Sequence, residues 1–284
     1  MRPTGHPRRS AYGLGLLICV LSGLVSRPAA AAPLPHRPLP PVSHPLDDHA
    51  GSTIAAHERA DAAGGAAPTV GTRKVRGMDV SHWQGSIDWP AVRAQGGRFV
   101  YIKATEGKSF TDPKFSSNSS GSAASGLFHG AYHFALPDRS TGKTQADYLI
   151  DHGGGWSADG RTLPPMLDIE YNPYDRNAAC YGLSPREMVT WVTAFSNEVR
   201  ARTSRYPTIY TTTNWWTICT DNSPRFGPTN PLFIARWSTT VGLLPAGWAT
   251  YTLWQHANAG PFPGDQDWFH GTVSGLRRFA LPAA

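Results

Sequence analysis

Cysteine, basic runs and long apolar stretches are all scarce in this chain, and each scarcity excludes something. There are three cysteines in 284 residues. Cys19 falls in the leading segment, leaving Cys180 and Cys219, which lack the CxxC spacing of a redox or metal motif. They read as one disulfide in an oxidising compartment, closing a loop of roughly 40 residues worth on the order of 4 kcal/mol in the chain-entropy picture. After Val25 no apolar run approaches the ~20 residues that span a bilayer, so no stable membrane association is expected. There is no arginine-rich run or recognition motif for a nucleic-acid partner. G-x-S-x-G, HExxH and phosphate-loop patterns are missing too. His129 and His133 stand at i, i+4 on one strand, too far apart to share a metal readily, so neither metal nor cofactor is expected.

What is present begins with an address. Arg8 and Arg9 precede a short apolar run from Leu14 to Val25, and Ala29 to Ala32 offer small residues for cleavage. That layout predicts a signal peptide over residues 1–32 and a secreted, extracellular protein, with the export route left open because Ser10, Ala11 and Tyr12 fit the twin-arginine pattern poorly. Residues 33–72 are rich in Pro, Ala, His and Gly without apolar periodicity, and read as a disordered linker or pro-segment. From residue 73 to 284 the texture is uniform, with 20 Lys+Arg against 16 Asp+Glu. This excess suits loose attraction to an anionic polymer and little more.

Residues 73–284 are long enough for one sizeable domain, expected as a monomer. Candidate strands are Val75–Val80, Phe99–Lys103, Phe128–Phe134, Pro165–Ile169, Thr208–Tyr210, Leu232–Trp237 and Thr250–Trp254, with an antiparallel-looking pair from Trp268 to Phe279. The clearest helices are Lys143–Asp151 and Pro185–Thr203, the latter opened by a Ser184-x-x-Glu187 capping box. Shorter ones fit Trp89–Ala94 and Lys114–Ala124. Strand–helix alternation followed by a helix-poor second half predicts an α/β fold, an irregular TIM-like barrel, with a doubly wound open sheet as the competitor.

The informative polar residues cluster at predicted strand ends, where barrels of this class place their chemistry. In Pro165-Met166-Leu167-Asp168-Ile169-Glu170 strand parity puts Met166, Asp168 and Glu170 on one face and Leu167 and Ile169 on the other. Two carboxyls so close in a low-dielectric cleft cannot both ionise freely, so one stays protonated near neutral pH. Glycosidic bond cleavage needs such an acid for its leaving oxygen. The ordinary alternative is a solvated strand-end pair or ligands for a structural cation. Asp79 adds a third carboxylate, and Asp265 and Asp267 offer a fourth; each taken singly also fits a cap or turn. Trp83, Tyr132, Tyr171, Tyr210, Trp215, Trp216, Trp237 and Trp254 fall in or beside strand-end segments. Aromatic faces there, with the amide of Gln255, suit a sugar-binding groove.

Seven segments carry a likeness: Gly77-Met78-Asp79-Val80-Ser81-His82-Trp83-Gln84-Gly85, Tyr101–Gly107, Gly130-Ala131-Tyr132-His133-Phe134, Leu167–Glu170, Ala235-Arg236-Trp237, Leu253-Trp254-Gln255 and Asp265-x-Asp267-x-Phe269. In this order the chain resembles glycoside hydrolase family 25, the Chalaropsis-type lysozymes. The resemblance implies a (β/α)5β3 barrel that cleaves the β-1,4 bond between N-acetylmuramic acid and N-acetylglucosamine in peptidoglycan, with retention. It implies Glu170 as general acid/base, Asp168 as the carboxylate attending the substrate acetamido group, and Asp79 as a further catalytic carboxylate. It aligns Asp265 with the family's final aspartate and Asp267 with a position usually held by asparagine, so the two can exchange roles. Substrate-assisted attack and double displacement both remain open. So do two other functions, a wall-binding barrel without turnover and a chitin-directed glycosidase.

Overall fold

The computed structural model describes residues 49–58 and 74–282; the expected signal peptide lies outside the described residues. A short helix, α1 (Ile54–His57), precedes the first strand. Strands β1 (Lys74–Val80), β2 (Phe99–Glu106), β4 (Phe128–Phe134), β5 (Met166–Asp168), β6 (Thr208–Thr211), β7 (Leu232–Ala235) and β8 (Leu253–Ala257) then follow, with β3 (Phe110–Thr111) a short hairpin partner of β2. The last strand is β9 (Asp265–His270).

Strands β1, β2 and β4 to β8 run parallel around the sheet, and β9 closes the ring antiparallel to both β8 and β1. An eight-stranded mixed barrel results, which removes the open-sheet alternative. The expected antiparallel pair from Trp268 to Phe279 is instead one strand followed by helix α7 (Val273–Ala280). Thr272 caps that helix by accepting from Gly275 N.

Burial follows strand parity. Tyr101, Tyr132, Met166, Tyr210, Phe233 and Leu253 form one buried cluster. Tyr101 on β2 meets Phe233 on β7 with ring centroids 5.9 Å apart, although these strands are not neighbours, so this cluster fills the barrel's interior. The intervening residues Leu167, Ile169, Ile209 and Ile234 belong to a second cluster with Leu149 of α4 (Gly142–Asp151) and Met188, Val192 and Phe195 of α5 (Pro185–Thr203). The spacing of the α5 residues presents one apolar stripe to the strands. Its capping box forms as the sequence predicts, Ser184 accepting from Glu187 N and Glu187 from Ser184 N. The other two predicted helices are α2 (Trp89–Ala94) and α3 (Phe115–Ala124).

Helix α6 (Thr213–Thr220) has no counterpart in the sequence reading. Thr212 caps it, and it buries Trp215, Trp216 and Cys219 in the outer layer. Those two tryptophans are therefore core residues, away from any sugar groove. Cys219 is bonded to Cys180, with Cα atoms 5.3 Å apart, tying the β5–α5 loop to α6.

Replacing both Cys180 and Cys219 by Ser should remove about 4 kcal/mol at most and lower Tm by roughly 10 °C. Calorimetry on the two forms checks this, and a near-zero change would mean the cross-link does not constrain the unfolded chain.

Candidate active site

The chemistry gathers at the carboxyl ends of the parallel strands. β5 ends at Asp168, and Ile169 N still donates to Tyr210 O at 3.0 Å, so the extended path continues into Glu170. With Leu167 and Ile169 in the outer layer, Met166 is interior and Asp168 and Glu170 face the mouth. Both carboxyls are essentially inaccessible, at 0% and 1% exposure.

Asp79, Asp265 and Asp267 reach the same place through β1 and β9. Asp79 is the register partner of Asp265, and Gly77 of Asp267. Gly264 makes the approach possible, because its φ is +80° and a Cβ there would lie 2.2 Å from Asp79 O. Only glycine tolerates both conditions. Asp265 is thus delivered beside Asp79 by a turn that accepts no side chain.

Gln255, on β8, connects these groups. Its Nε2 donates to Asp79 Oδ2 at 2.9 Å and Asp265 Oδ2 at 2.7 Å. Its Oε1 accepts from Tyr210 OH and from Trp237 Nε1, both at 2.9 Å. Gln255 therefore fixes two carboxylates and two aromatic side chains at once. Tyr132 is fully buried in the interior cluster, whereas Tyr171 packs with the outer cluster and its hydroxyl donates to Glu58 Oε1 at 2.9 Å.

Trp254 does not join them. Its neighbour Gln255 faces inward, so strand parity turns Trp254 outward. Its Nε1 donates to Arg236 O at 2.8 Å, and the Lys74 ammonium sits 4.8 Å from its ring centroid. Trp254 thus packs with the outer cluster, apart from the residues that Gln255 joins.

Burial dominates the electrostatics. It raises Glu170 to about 7, against hydrogen bonds from Thr53 and Gly51 that oppose the rise. It likewise raises Asp79 to about 7, with the Gln255 hydrogen bond opposing and the Glu170 charge adding. Asp168 stands well above the ordinary carboxylate range through burial first and the Glu170 charge second. Asp265 and Asp267 are also raised well above it, by burial and then by Asp79. Asp168 interacts chiefly with the Glu170 carboxyl beside it, and Asp267 with Asp79.

Two further features escaped the sequence reading. Lys103 is buried inside the barrel, 2.6 Å from Glu106 Oε2, and its charge opposes the rise at Asp168. The signal is a lysine that directly follows the apolar run Phe99–Ile102. The second is the segment before the barrel. Gly51 N donates to Glu170 Oε1 at 2.7 Å and Thr53 N to Oε2 at 3.2 Å, with the Thr53 hydroxyl adding a third bond. This ten-residue stretch lies within the region whose composition suggests a disordered linker or pro-segment.

A raised carboxyl contributes stability below its unfolded pKa and loses it as pH climbs through its folded value. For Glu170 that window runs from 4.5 to about 7. The Tm difference, Glu170→Gln minus wild type, should therefore grow from pH 4 to pH 8 in thermal melts. An equal difference at both pH values would show an unperturbed carboxyl.

Comparison with known proteins agrees with this geometry. The profile of "Glycosyl hydrolases family 25" matches residues 78–265. Lysozyme M1 of Streptomyces globisporus is 40% identical, covering 93% of this chain and 94% of its own. The N,O-diacetylmuramidase of a Chalaropsis species is 46% identical over 72% of this chain and 99% of its own. Among solved structures, a family GH25 lysozyme from Aspergillus fumigatus superimposes with a TM-score of 0.72 at 47% identity, covering 74% of this chain and all of that one. A closed mixed barrel, a carboxyl-lined mouth and a profile match across most of the barrel give one conclusion: the chain belongs to glycosyl hydrolase family 25.

Proposed function

We propose that this protein is an exported, monomeric lysozyme that hydrolyses the β-1,4 bond between N-acetylmuramic acid and N-acetylglucosamine in peptidoglycan, with retention of configuration. The observation that carries the reading is Glu170, a buried carboxyl raised to about 7 beside Asp168. Such a group holds its proton near neutral pH and still gives it up readily, the requirement for an acid that later turns base.

In this reading Glu170 protonates the glycosidic oxygen as the bond to the anomeric carbon breaks. The substrate's own acetamido oxygen attacks that carbon and forms an oxazolinium ion. Asp168, beside Glu170, takes the acetamido group as a hydrogen-bond partner and orients its oxygen toward the anomeric carbon. Glu170 then takes a proton from water, whose oxygen opens the ring on the same face from which the leaving group departed. Asp79 and Asp265, held by Gln255, border the sugar. Tyr132, Tyr171, Tyr210 and Trp237 line its path, with Asp267 deeper in the barrel. No helix among the described residues is long and apolar enough to cross a membrane.

Glu170→Gln should fold normally and clear a peptidoglycan suspension about 10²–10⁴-fold more slowly, the usual contribution of general acid catalysis. Near-normal clearing would sink the assignment. In the active enzyme kcat/KM should fall as rising pH takes the proton from Glu170. Digest products analysed by mass spectrometry should be muropeptides; chitooligosaccharides from chitin would redirect the substrate. A covalent glycosyl adduct on Asp79 would replace acetamido participation with double displacement. Sedimentation with walls but no release of reducing sugar would leave a binding barrel without turnover.

A further inference from the structure

Residues 49–58 fill the mouth that the proposed chemistry needs open. Ala50 and Ile54 are buried and join the barrel's interior cluster. Ala50 N donates to Tyr132 OH at 3.4 Å, and Ala50 O accepts from Gln255 Nε2 at 3.2 Å. Gly51 and Thr53 together give Glu170 three hydrogen bonds. The His57 ring stacks on Tyr171 with centroids 4.2 Å apart and planes 7° from parallel. Glu58 anchors the end of the segment by accepting from Tyr171 OH at 2.9 Å, Thr212 Oγ1 and Asn214 Nδ2. The acid, the central amide and two tyrosines are therefore all engaged by the chain's own residues.

The fit is close at one point in particular. Gly51 has φ +85°, and a Cβ there would lie 2.7 Å from Gln255 Oε1, 3.0 Å from the Tyr210 hydroxyl and 3.1 Å from Asp265 Oδ2. Sugar and segment cannot occupy that space together. The three donors also act on the acid's protonation. Hydrogen bonds to a carboxylate favour its ionised form, whereas leaving-group protonation needs the neutral one.

We propose that residues 49–58 occlude the catalytic mouth from within the same chain and hold the enzyme inactive until the segment is displaced or removed. The proposal rests on the mouth around Glu170 being the sugar cleft. Residues 59–73 tether the segment to β1. Such a short tether gives a local concentration on the order of millimolar. Modest affinity then suffices for occlusion while the tether lasts, and cutting it releases the cleft by dilution. The likeness to Lysozyme M1 covers this region as well. The 7% of the chain outside that match is about 20 of 284 residues, fewer than the 48 that precede His49.

The test uses the chain without its signal peptide, as wild type and as Gly51→Val and Glu58→Lys. Neither residue belongs to the proposed catalytic or sugar-binding set. Both variants should clear a peptidoglycan suspension about tenfold or more faster than wild type, reflecting loss of an occluder held at millimolar local concentration. A synthetic peptide of residues 49–58 should bind the Gly51→Val chain in calorimetry and slow its clearing at high-micromolar to millimolar levels, whereas the same peptide carrying Gly51→Val should do neither. Equal clearing by wild type and both variants, or no peptide binding, overturns the proposal. If no form clears peptidoglycan but the wild-type peptide still binds, the occluder stands and the muramidase reading falls.

Discussion

Five carboxyl groups share one water-poor barrel mouth, and that crowding is the constraint around which the rest is arranged. Asp79, Asp168, Glu170, Asp265 and Asp267 are all nearly inaccessible to solvent. Ionising them together in a low-dielectric space is prohibitive, so protons are retained where exposed carboxyls would release them. The surroundings moderate this without cancelling it. Gln255 presents its amide N–H groups to Asp79 and Asp265 while Tyr210 and Trp237 hold its other end. Lys103 supplies a buried positive charge from the next inward layer, itself paired with Glu106. What remains is a set of acids with graded surroundings, of which Glu170, with three hydrogen bonds from Gly51 and Thr53, has the most donors.

Much of this was legible because it follows from local periodicity. The alternation in Met166-Leu167-Asp168-Ile169-Glu170 fixes which side chains face the mouth, and the outer Leu167 and Ile169 confirm the parity. The helix at Pro185 is legible from its capping box and stripe. The sequence offers Asp79 and Asp265 as members of one acidic ring, but no local pattern pairs residues on the first and last strands. The outward direction of Trp254 is hard to read because its inward neighbour Gln255 is a polar residue that conventional patterning would place outside. Helix α6 was missed because its Thr, Trp and Ile residues favour strands. Its helical state depends on the Thr212 cap and on burial of two tryptophans against the outer layer.

The segment at 49–58 was hidden for a different reason. Its contacts to Glu170 come largely from backbone N–H groups, which every residue but proline carries and which leave no mark in a sequence. Only Gly51 and Glu58 are chemically distinctive there, and neither stands out in a stretch rich in small residues. A run with no hydrophobic period can thus dock specifically when the receiving surface supplies the partners, here a buried carboxylate that accepts and an amide that donates.

The antiparallel strand β9 gives the barrel its closure, and this has a bearing on how the site comes into being. Asp79 and Asp265 sit side by side across β1 and β9 although they are 186 positions apart in the chain. Bringing such distant points together costs about 5 kcal/mol of loop entropy, recovered only once the ring of strands is complete. A chain halted before residue 265 would already contain Asp168 and Glu170 on β5 and its extension. It would nonetheless leave β1 and β8 as open edges, and Asp79 without its partner. The full carboxyl set is accordingly complete only when β9 pairs with β1.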